Sequence, residues 1–187
     1  MKKNEIFTVP NAVTTIHIIF LIPLFYCLKN QLWIAAGLIF LFTGGLDLLD
    51  GWLARKLHQV SKLGKVLDPL ADKGGSIVVL YFLIGQAGDI VYKTIFSIFL
   101  AMEIFLLLGS LLMICLKKTE EFQVTKLGKY SMFSFFLILN LFIFNLYFQF
   151  QIVFAVLLAI SVILIVVRLY CLTKYSINYF KKKAPPS

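Results

Sequence analysis

Six apolar segments dominate this chain and decide what it can fold into. They cover residues 12–28, 32–49, 73–88, 94–116, 130–149 and 151–171. Each is close to the roughly 17–25 residues that a helix needs to cross a bilayer, although the second and third reach that length only with their polar ends. A chain within lipid must pair its backbone polar groups internally, which favours helices for such segments. The sequence therefore predicts an all-α integral membrane protein with six transmembrane helices.

The composition points the same way. Hydrophobic residues make up 60% of the 187 residues and charged residues only 14%, whereas about 25% of a soluble domain is charged. A chain of this length predicts one domain. We place it at residues 1–180 and expect the basic, proline-containing tail, residues 181–187, to be disordered.

Lysine and arginine predict how the helices are oriented. With the N-terminus inside, 16 of the 18 basic residues fall on the cytoplasmic side and only Lys29 and Lys93 face out. This asymmetry predicts cytoplasmic termini, in the plasma membrane if the protein is bacterial. The net charge of +9 then reflects loops beside anionic lipid, and we expect no nucleic-acid partner.

Four of the nine acidic residues fall at the cytoplasmic ends of the second and third predicted helices. We call them the aspartate cluster: Asp47, Asp50, Asp68 and Asp72. The first two are three residues apart and the last two are four apart, so each pair shares one helical face. Converging carboxylates repel one another, and a divalent cation relieves that repulsion. Oxygen ligands favour Mg²⁺, Mn²⁺ or Ca²⁺. The alternative is that the aspartates pair with Arg55, Lys56 and Lys73.

The cluster belongs to a longer motif. The chain reads Asp47-Leu-Leu-Asp50-Gly51-Trp-Leu-Ala54-Arg55, then eight residues, then Gly64-Lys-Val-Leu-Asp68-Pro-Leu-Ala-Asp72. This resembles the signature of the CDP-alcohol phosphatidyltransferase family, D-x-x-D-G-x-x-A-R, eight residues, G-x-x-x-D-x-x-x-D, at all eight defining positions. The length and six-span layout also resemble that family. The segment from Pro10 is similar to the family's P-N-x-x-T-x-x-R opening, with His17 in place of the arginine.

The resemblance implies an activity and a set of roles. It implies that CDP-diacylglycerol donates a phosphatidyl group to an alcohol and that CMP is released. Two divalent ions, Mg²⁺ or Mn²⁺, would be held by Asp47, Asp50 and Asp68, with Asp72 beside them as general base. It further implies that the CDP-lipid is contacted by Asn11, Thr14, Gly51, Ala54, Arg55, Ser61 and Gly64. Relatives of this kind commonly form homodimers.

The acceptor half of the site departs from the family pattern. Members that use glycerol 3-phosphate often carry arginine where this chain has His17, and Arg-Glu where it has Met102-Glu103. The resemblance leaves Glu103, Lys126 and Lys129 as acceptor-binding candidates. Taken alone, His17 is more simply a satisfied core histidine, and Glu103 could equally be a structural partner for a donor on another helix.

Three functions therefore remain open. We expect glycerol 3-phosphate as the acceptor, as in a phosphatidylglycerophosphate synthase. The alternative is phosphatidylglycerol, as in a cardiolipin synthase, since its phosphate sits on a lipid and the missing arginines would matter less. Inositol phosphate and serine are less expected acceptors. A cation-coupled transporter is a third hypothesis. It is disfavoured because transporter sites usually lie near the bilayer midplane, whereas the aspartate cluster lies at one face.

Overall fold

A computed structural model describes residues 8–57, 62–116 and 126–183. Within these ranges the structure describes the backbone but not the side chains at positions 54, 55, 62, 65, 126, 129, 172 and 174–183. The described chain is all-α and forms six helices: α1 Val9–Lys29, α2 Trp33–Lys56, α3 Lys62–Gln86, α4 Ile90–Cys115, α5 Lys126–Phe148 and α6 Gln151–Lys183. This confirms the predicted all-α class.

The helix ends follow from local sequence. Thr8 caps α1 by accepting a hydrogen bond from the backbone N–H of Asn11 at 3.3 Å, and Asp89 caps α4 in the same way. Such caps satisfy amide groups that the first helical turn leaves unpaired. Gln31 and Gln149 adopt left-handed φ values of 58° and 55°. They lie where the chain reverses within a few residues, between α1 and α2 and between α5 and α6.

Five of the helices are long and apolar enough to cross a membrane: α1, α2 as far as Leu53, α4, α5 from Tyr130, and α6 as far as Cys171. The third predicted span is not among them. Its helix, α3, carries Asp68, Asp72 and Lys73 in its first half, which lowers the mean hydropathy of the segment. At the other end of the chain, α6 continues to Lys183. The first three residues of the predicted tail are therefore helical, since lysine is a good helix former.

The helices pack in an order that brings α1, α2 and α3 together. α1 contacts both α2 and α3, α3 contacts α4, and α5 contacts α2, α3 and α6. Aromatic rings fill the interior between α4 and α5, where Phe99 stacks on Phe135 with ring centroids 4.6 Å apart. Many large apolar side chains on the outside of the bundle are exposed. A surface of this kind suits contact with lipid.

Small residues let α2 and α5 approach closely, as is common between membrane helices. The ring of Phe144 lies 2.8 Å from where a Cβ on Gly37 would stand, and the ring of Phe136 occupies the corresponding space at Gly44. The Asn140 side-chain amide also donates a 2.9 Å hydrogen bond to the carbonyl oxygen of Gly37. Glycine at these positions therefore holds the α2–α5 interface together.

A neighbouring glycine offers a matched test of that interface. We expect Gly44→Ala to destabilise the protein by about 1–3 kcal/mol, the usual result of overpacking a filled interior. Gly45→Ala should have little effect, since a Cβ there meets nothing within 4 Å. Thermal unfolding of both variants in detergent measures the difference. Equal stability of the two would contradict the assigned close packing.

Candidate active site

The hydroxyl of Thr14 joins three helices at the centre of the site. Its Oγ1 lies 2.9 Å from Oδ2 of Asp50 on α2 and 3.3 Å from Oδ1 of Asp68 on α3. It also lies 3.0 Å from the carbonyl oxygen of Pro10. A hydroxyl has one proton, so Thr14 donates to one of these oxygens at a time. Thr14 is 1% exposed, which makes this junction part of the packed interior.

The four members of the aspartate cluster lie within electrostatic reach of one another. The negative charges of Asp72, Asp50 and Asp68 all act on Asp47. Asp50 is buried, Asp47 is half-buried, and Asp68 and Asp72 are exposed. The structure thus brings together carboxylates from the end of α2 and the start of α3, as the connection between two antiparallel helices allows.

The mutual repulsion shows at Asp68, which lies outside the five candidate spans. Although part of its side chain is exposed, partial loss of water around the carboxyl and the negative charge of Asp50 raise the pKa of Asp68 to about 6, while the hydrogen bond from Thr14 opposes the shift. A carboxylate with a raised pKa is one whose charged form needs a compensating cation. The cluster therefore has the electrostatics of a cation site.

His17 lies one turn beyond Thr14 on α1 and belongs to the same site. One of its ring nitrogens and one oxygen each of Asp47 and Asp50 all lie within 4.8 Å of one another. The residue is 3% exposed, and its Nδ1 has no hydrogen-bond partner among the described residues. The predicted core position of His17 is thus confirmed, whereas its Nδ1 is not satisfied by any described residue. Carboxylate oxygens beside an imidazole nitrogen are a donor set that fits a divalent cation.

A network of opposite charges leads from Asp72 into the bundle; we call it the charge network and define it as Asp72, Lys73, Glu103 and Arg168. Nζ of Lys73 lies 2.8 Å from Oδ2 of Asp72 and 3.5 Å from Oε2 of Glu103 on α4. Glu103 also pairs with Arg168 on α6. The guanidinium of Arg168 in turn lies 4.1 Å from the ring centroid of Phe135, a cation–π geometry.

The charge network gives the surroundings of two residues, Glu103 and Arg168. Glu103 is 1% exposed and has cationic partners on α3 and α6, so it has the donor partners that a structural acid within a membrane needs. Arg168, which the charge-asymmetry argument counted among cytoplasmic residues, is buried within the candidate span of α6. An arginine inside an apolar run was the sequence signal for this pairing. Three basic residues were proposed as partners of the aspartates: Arg55, Lys56 and Lys73. Among the described side chains, only that of Lys73 pairs with the cluster.

The other predicted contacts fall into two groups. Asn11 is buried in the first turn of α1, Gly51 follows Asp50 on α2, and Gly64 is buried near the start of α3. In sequence, Gly51 and Gly64 fall between the two aspartate pairs, and Asn11 lies about one turn before Thr14 on α1. The remaining predictions lie outside the described residues or side chains: Ala54, Arg55, Ser61, Lys126 and Lys129.

Comparison with known proteins agrees with the site. The model of the CDP-alcohol phosphatidyltransferase family matches residues 7–179. The chain therefore belongs to the CDP-alcohol phosphatidyltransferase family. The match includes all six helices up to the last turn of α6, and with them the motif that carries the aspartate cluster.

Individual relatives share parts of the chain. It is 40% identical over 86 residues to a CDP-diacylglycerol–glycerol-3-phosphate 3-phosphatidyltransferase of Pseudomonas fluorescens, covering 44% of each protein. It is 32% identical over 113 residues to the protein of that name in Aquifex aeolicus, covering 60% of this chain and 64% of the relative. A Mycobacterium tuberculosis protein provisionally named a cardiolipin synthase is 32% identical over 137 residues, with 72% and 64% covered. In each alignment the chain spans less than two thirds of the relative's length.

Proposed function

We propose that this protein is a divalent-metal-dependent transferase that moves a phosphatidyl group from CDP-diacylglycerol to glycerol 3-phosphate. The observation that carries the proposal is the convergence of the four motif aspartates, two of which contact Thr14, in a chain that belongs to this family. Two relatives named as glycerol-3-phosphate 3-phosphatidyltransferases support the choice of acceptor. Release of CMP completes the reaction.

The proposed transfer is a displacement at phosphorus. A hydroxyl oxygen of the acceptor forms a bond to the phosphorus that carries diacylglycerol, and the bond from that phosphorus to the bridging oxygen of CMP breaks. CMP leaves with the electron pair, and Asp72 takes the hydroxyl proton. Asp72 suits this role because its side chain is 44% exposed, which leaves it open to a substrate, and an ion pair with Lys73 holds it in place.

The remaining cluster residues bind and orient. Asp47, Asp50 and Asp68 would hold two divalent ions, Mg²⁺ or Mn²⁺, which when bound offset the charge of the pyrophosphate and of the departing CMP. Thr14 orients Asp50 and Asp68 through its hydroxyl. The proposed contacts to the CDP-lipid are Asn11, Thr14, Gly51, Ala54, Arg55, Ser61 and Gly64. Lys126, Lys129 and Glu103 remain the proposed acceptor-side residues.

We also infer the placement of the site in the membrane. Without Arg168, which is buried within the span of α6, 15 of the 18 basic residues fall on the predicted inner side. This distribution supports cytoplasmic termini and an aspartate cluster on the cytoplasmic face, with α3 crossing as the sixth span. Both substrates would then reach the site from that face, the CDP-lipid through the bilayer and glycerol 3-phosphate from water. We further propose that the protein works as a homodimer.

One observation favours a second acceptor. His17 stands where relatives using glycerol 3-phosphate often carry arginine, and imidazole is a weaker partner for a free phosphate than a guanidinium fork. Phosphatidylglycerol as the acceptor would need a less strong phosphate partner at this position. Use of that acceptor would make the protein a cardiolipin synthase. The name of the mycobacterial relative is consistent with that alternative.

A single assay separates these functions. Purified protein with CDP-diacylglycerol and Mn²⁺ or Mg²⁺ is offered glycerol 3-phosphate, phosphatidylglycerol, inositol phosphate or serine, and both CMP and the lipid product are measured. We expect CMP release that requires glycerol 3-phosphate and stops when EDTA removes the metal. Release only with phosphatidylglycerol would establish the cardiolipin synthase. Absence of CMP with every acceptor would reject the transferase and leave the transporter hypothesis.

A further inference from the structure

His17 occupies a position that the motif leaves unassigned. It is 3% exposed, and a ring nitrogen lies within 4.8 Å of oxygens of both Asp47 and Asp50. Its Nδ1 is buried and finds no hydrogen-bond partner among the residues that the structure describes. Buried polar atoms in folded proteins are nearly always paired, and an exception needs an explanation such as a bound ion.

Helix register keeps the ring in this place. α1 and α2 are joined by a short turn and pack along their length, so they run in opposite directions. Thr14 contacts Asp50; one turn further on α1 is His17, and one turn earlier on α2 is Asp47. The two helices therefore present His17 and Asp47 at the same level, deeper in the bundle than the Thr14 junction. Ligands on packed helices are held more firmly than ligands on loops.

The three donor atoms are near enough to share one ion after the side chains rotate toward it. Ligands that each lie about 2.1 Å from one octahedral ion are about 3 Å apart when cis and about 4.2 Å apart when trans. The three donor atoms, which lie within 4.8 Å of one another, would therefore close by up to about 1–2 Å. The ligand chemistry is also selective, since imidazole suits transition metals whereas Mg²⁺ and Ca²⁺ prefer oxygen.

We infer that His17 ligates, through a ring nitrogen, a divalent cation shared with Asp47 and Asp50, and that this mixed nitrogen and oxygen site favours Mn²⁺ over Mg²⁺. The inference rests on the metal-dependent function proposed above. It adds a nitrogen ligand to a cluster that the motif describes with carboxylates alone. It also gives His17 a role other than contact with the acceptor.

Pulsed EPR of the purified, full-length protein with bound Mn²⁺ tests the inference directly. The chain has two histidines, so a His58→Gln variant keeps His17 as its single imidazole. We expect ¹⁴N modulation from a coordinated imidazole in the wild type and in H58Q, and loss of that modulation in His17→Gln. Labelling histidine with ¹⁵N in H58Q should change the modulation pattern, which identifies His17 without altering it.

Metal affinity supplies the second measurement. We expect His17→Gln to weaken Mn²⁺ binding at least tenfold, to change Mg²⁺ binding by less than about threefold, and H58Q to change neither. Wild-type protein that binds no Mn²⁺, or binds it without imidazole modulation, would overturn the inference. Modulation that persists in His17→Gln would do the same. CMP release without imidazole modulation would reject the His17 ligand alone and leave the proposed transferase standing.

Discussion

Replacing Asp72 with asparagine is expected to lower the rate of CMP release by about 10²–10⁴-fold, the usual contribution of a positioned general base. The change keeps the size of the side chain but removes its ability to take the acceptor proton. Steady-state CMP release at saturating CDP-diacylglycerol and acceptor measures the effect. Because Asp72 lies beside the proposed metal ligands, Mn²⁺ binding to the variant is titrated in parallel, and a rate loss without a matching affinity loss is the expected pattern.

The chain offers a control for Asp72→Asn. Asp89 lies beyond the far end of α3, where it caps α4 by accepting a hydrogen bond from the backbone N–H of Val91 at 2.8 Å. Asparagine caps helices about as well as aspartate, so Asp89→Asn should preserve both rate and stability. An Asp72→Asn protein that turns over like Asp89→Asn would refute the assigned base.

Breaking the charge network is expected to have the largest effect on stability. Glu103 is buried between Lys73 and Arg168, and removing one partner from a buried ion pair typically costs about 3–5 kcal/mol. Glu103→Gln should lie at the upper end, because it leaves two buried cations without their common anion. Arg168→Met should cost less, because Lys73 can still partner Glu103. Denaturant unfolding in detergent measures both variants.

The double variant Glu103→Gln/Arg168→Met is the control for this prediction. If the two side chains stabilise the bundle through their pairing, the double variant loses clearly less stability than the two single losses added together. Additive losses would instead mean that each residue acts through its own packing. That result would contradict the assigned ion pair between α4 and α6.

The spacing of the aspartates carried most of the candidate site. Positions three and four apart on a helix share a face whatever the rest of the fold is. Local geometry therefore places Asp47 and Asp50 on one face of α2, and Asp68 and Asp72 on one face of α3. The helices were predictable for a similar reason, since a long apolar run satisfies its backbone within itself. The third span was the least predictable, because the charged residues that its first half contributes to the site lower its mean hydropathy.

Contacts between distant segments were the part that required the structure. Arg168 and Glu103 lie 65 positions apart, and the sequence shows each of them only as an isolated charged residue in an apolar segment. From the sequence alone, His17 resembles an ordinary core residue. The register of α1 against α2 is what sets its ring beside Asp47 and Asp50. Sequence spacing cannot give such a register, because it depends on how side chains of two helices interlock.

The four aspartates and the apolar helices that carry them could therefore be predicted from the sequence, because helix periodicity and bilayer thickness constrain residues that are near one another in the chain. Tertiary packing decided which groups surround those aspartates: Thr14 between Asp50 and Asp68, His17 beside Asp47, and Lys73 between Asp72 and Glu103. Burial makes each of these contacts consequential, since a polar group removed from water must find its partner within the protein.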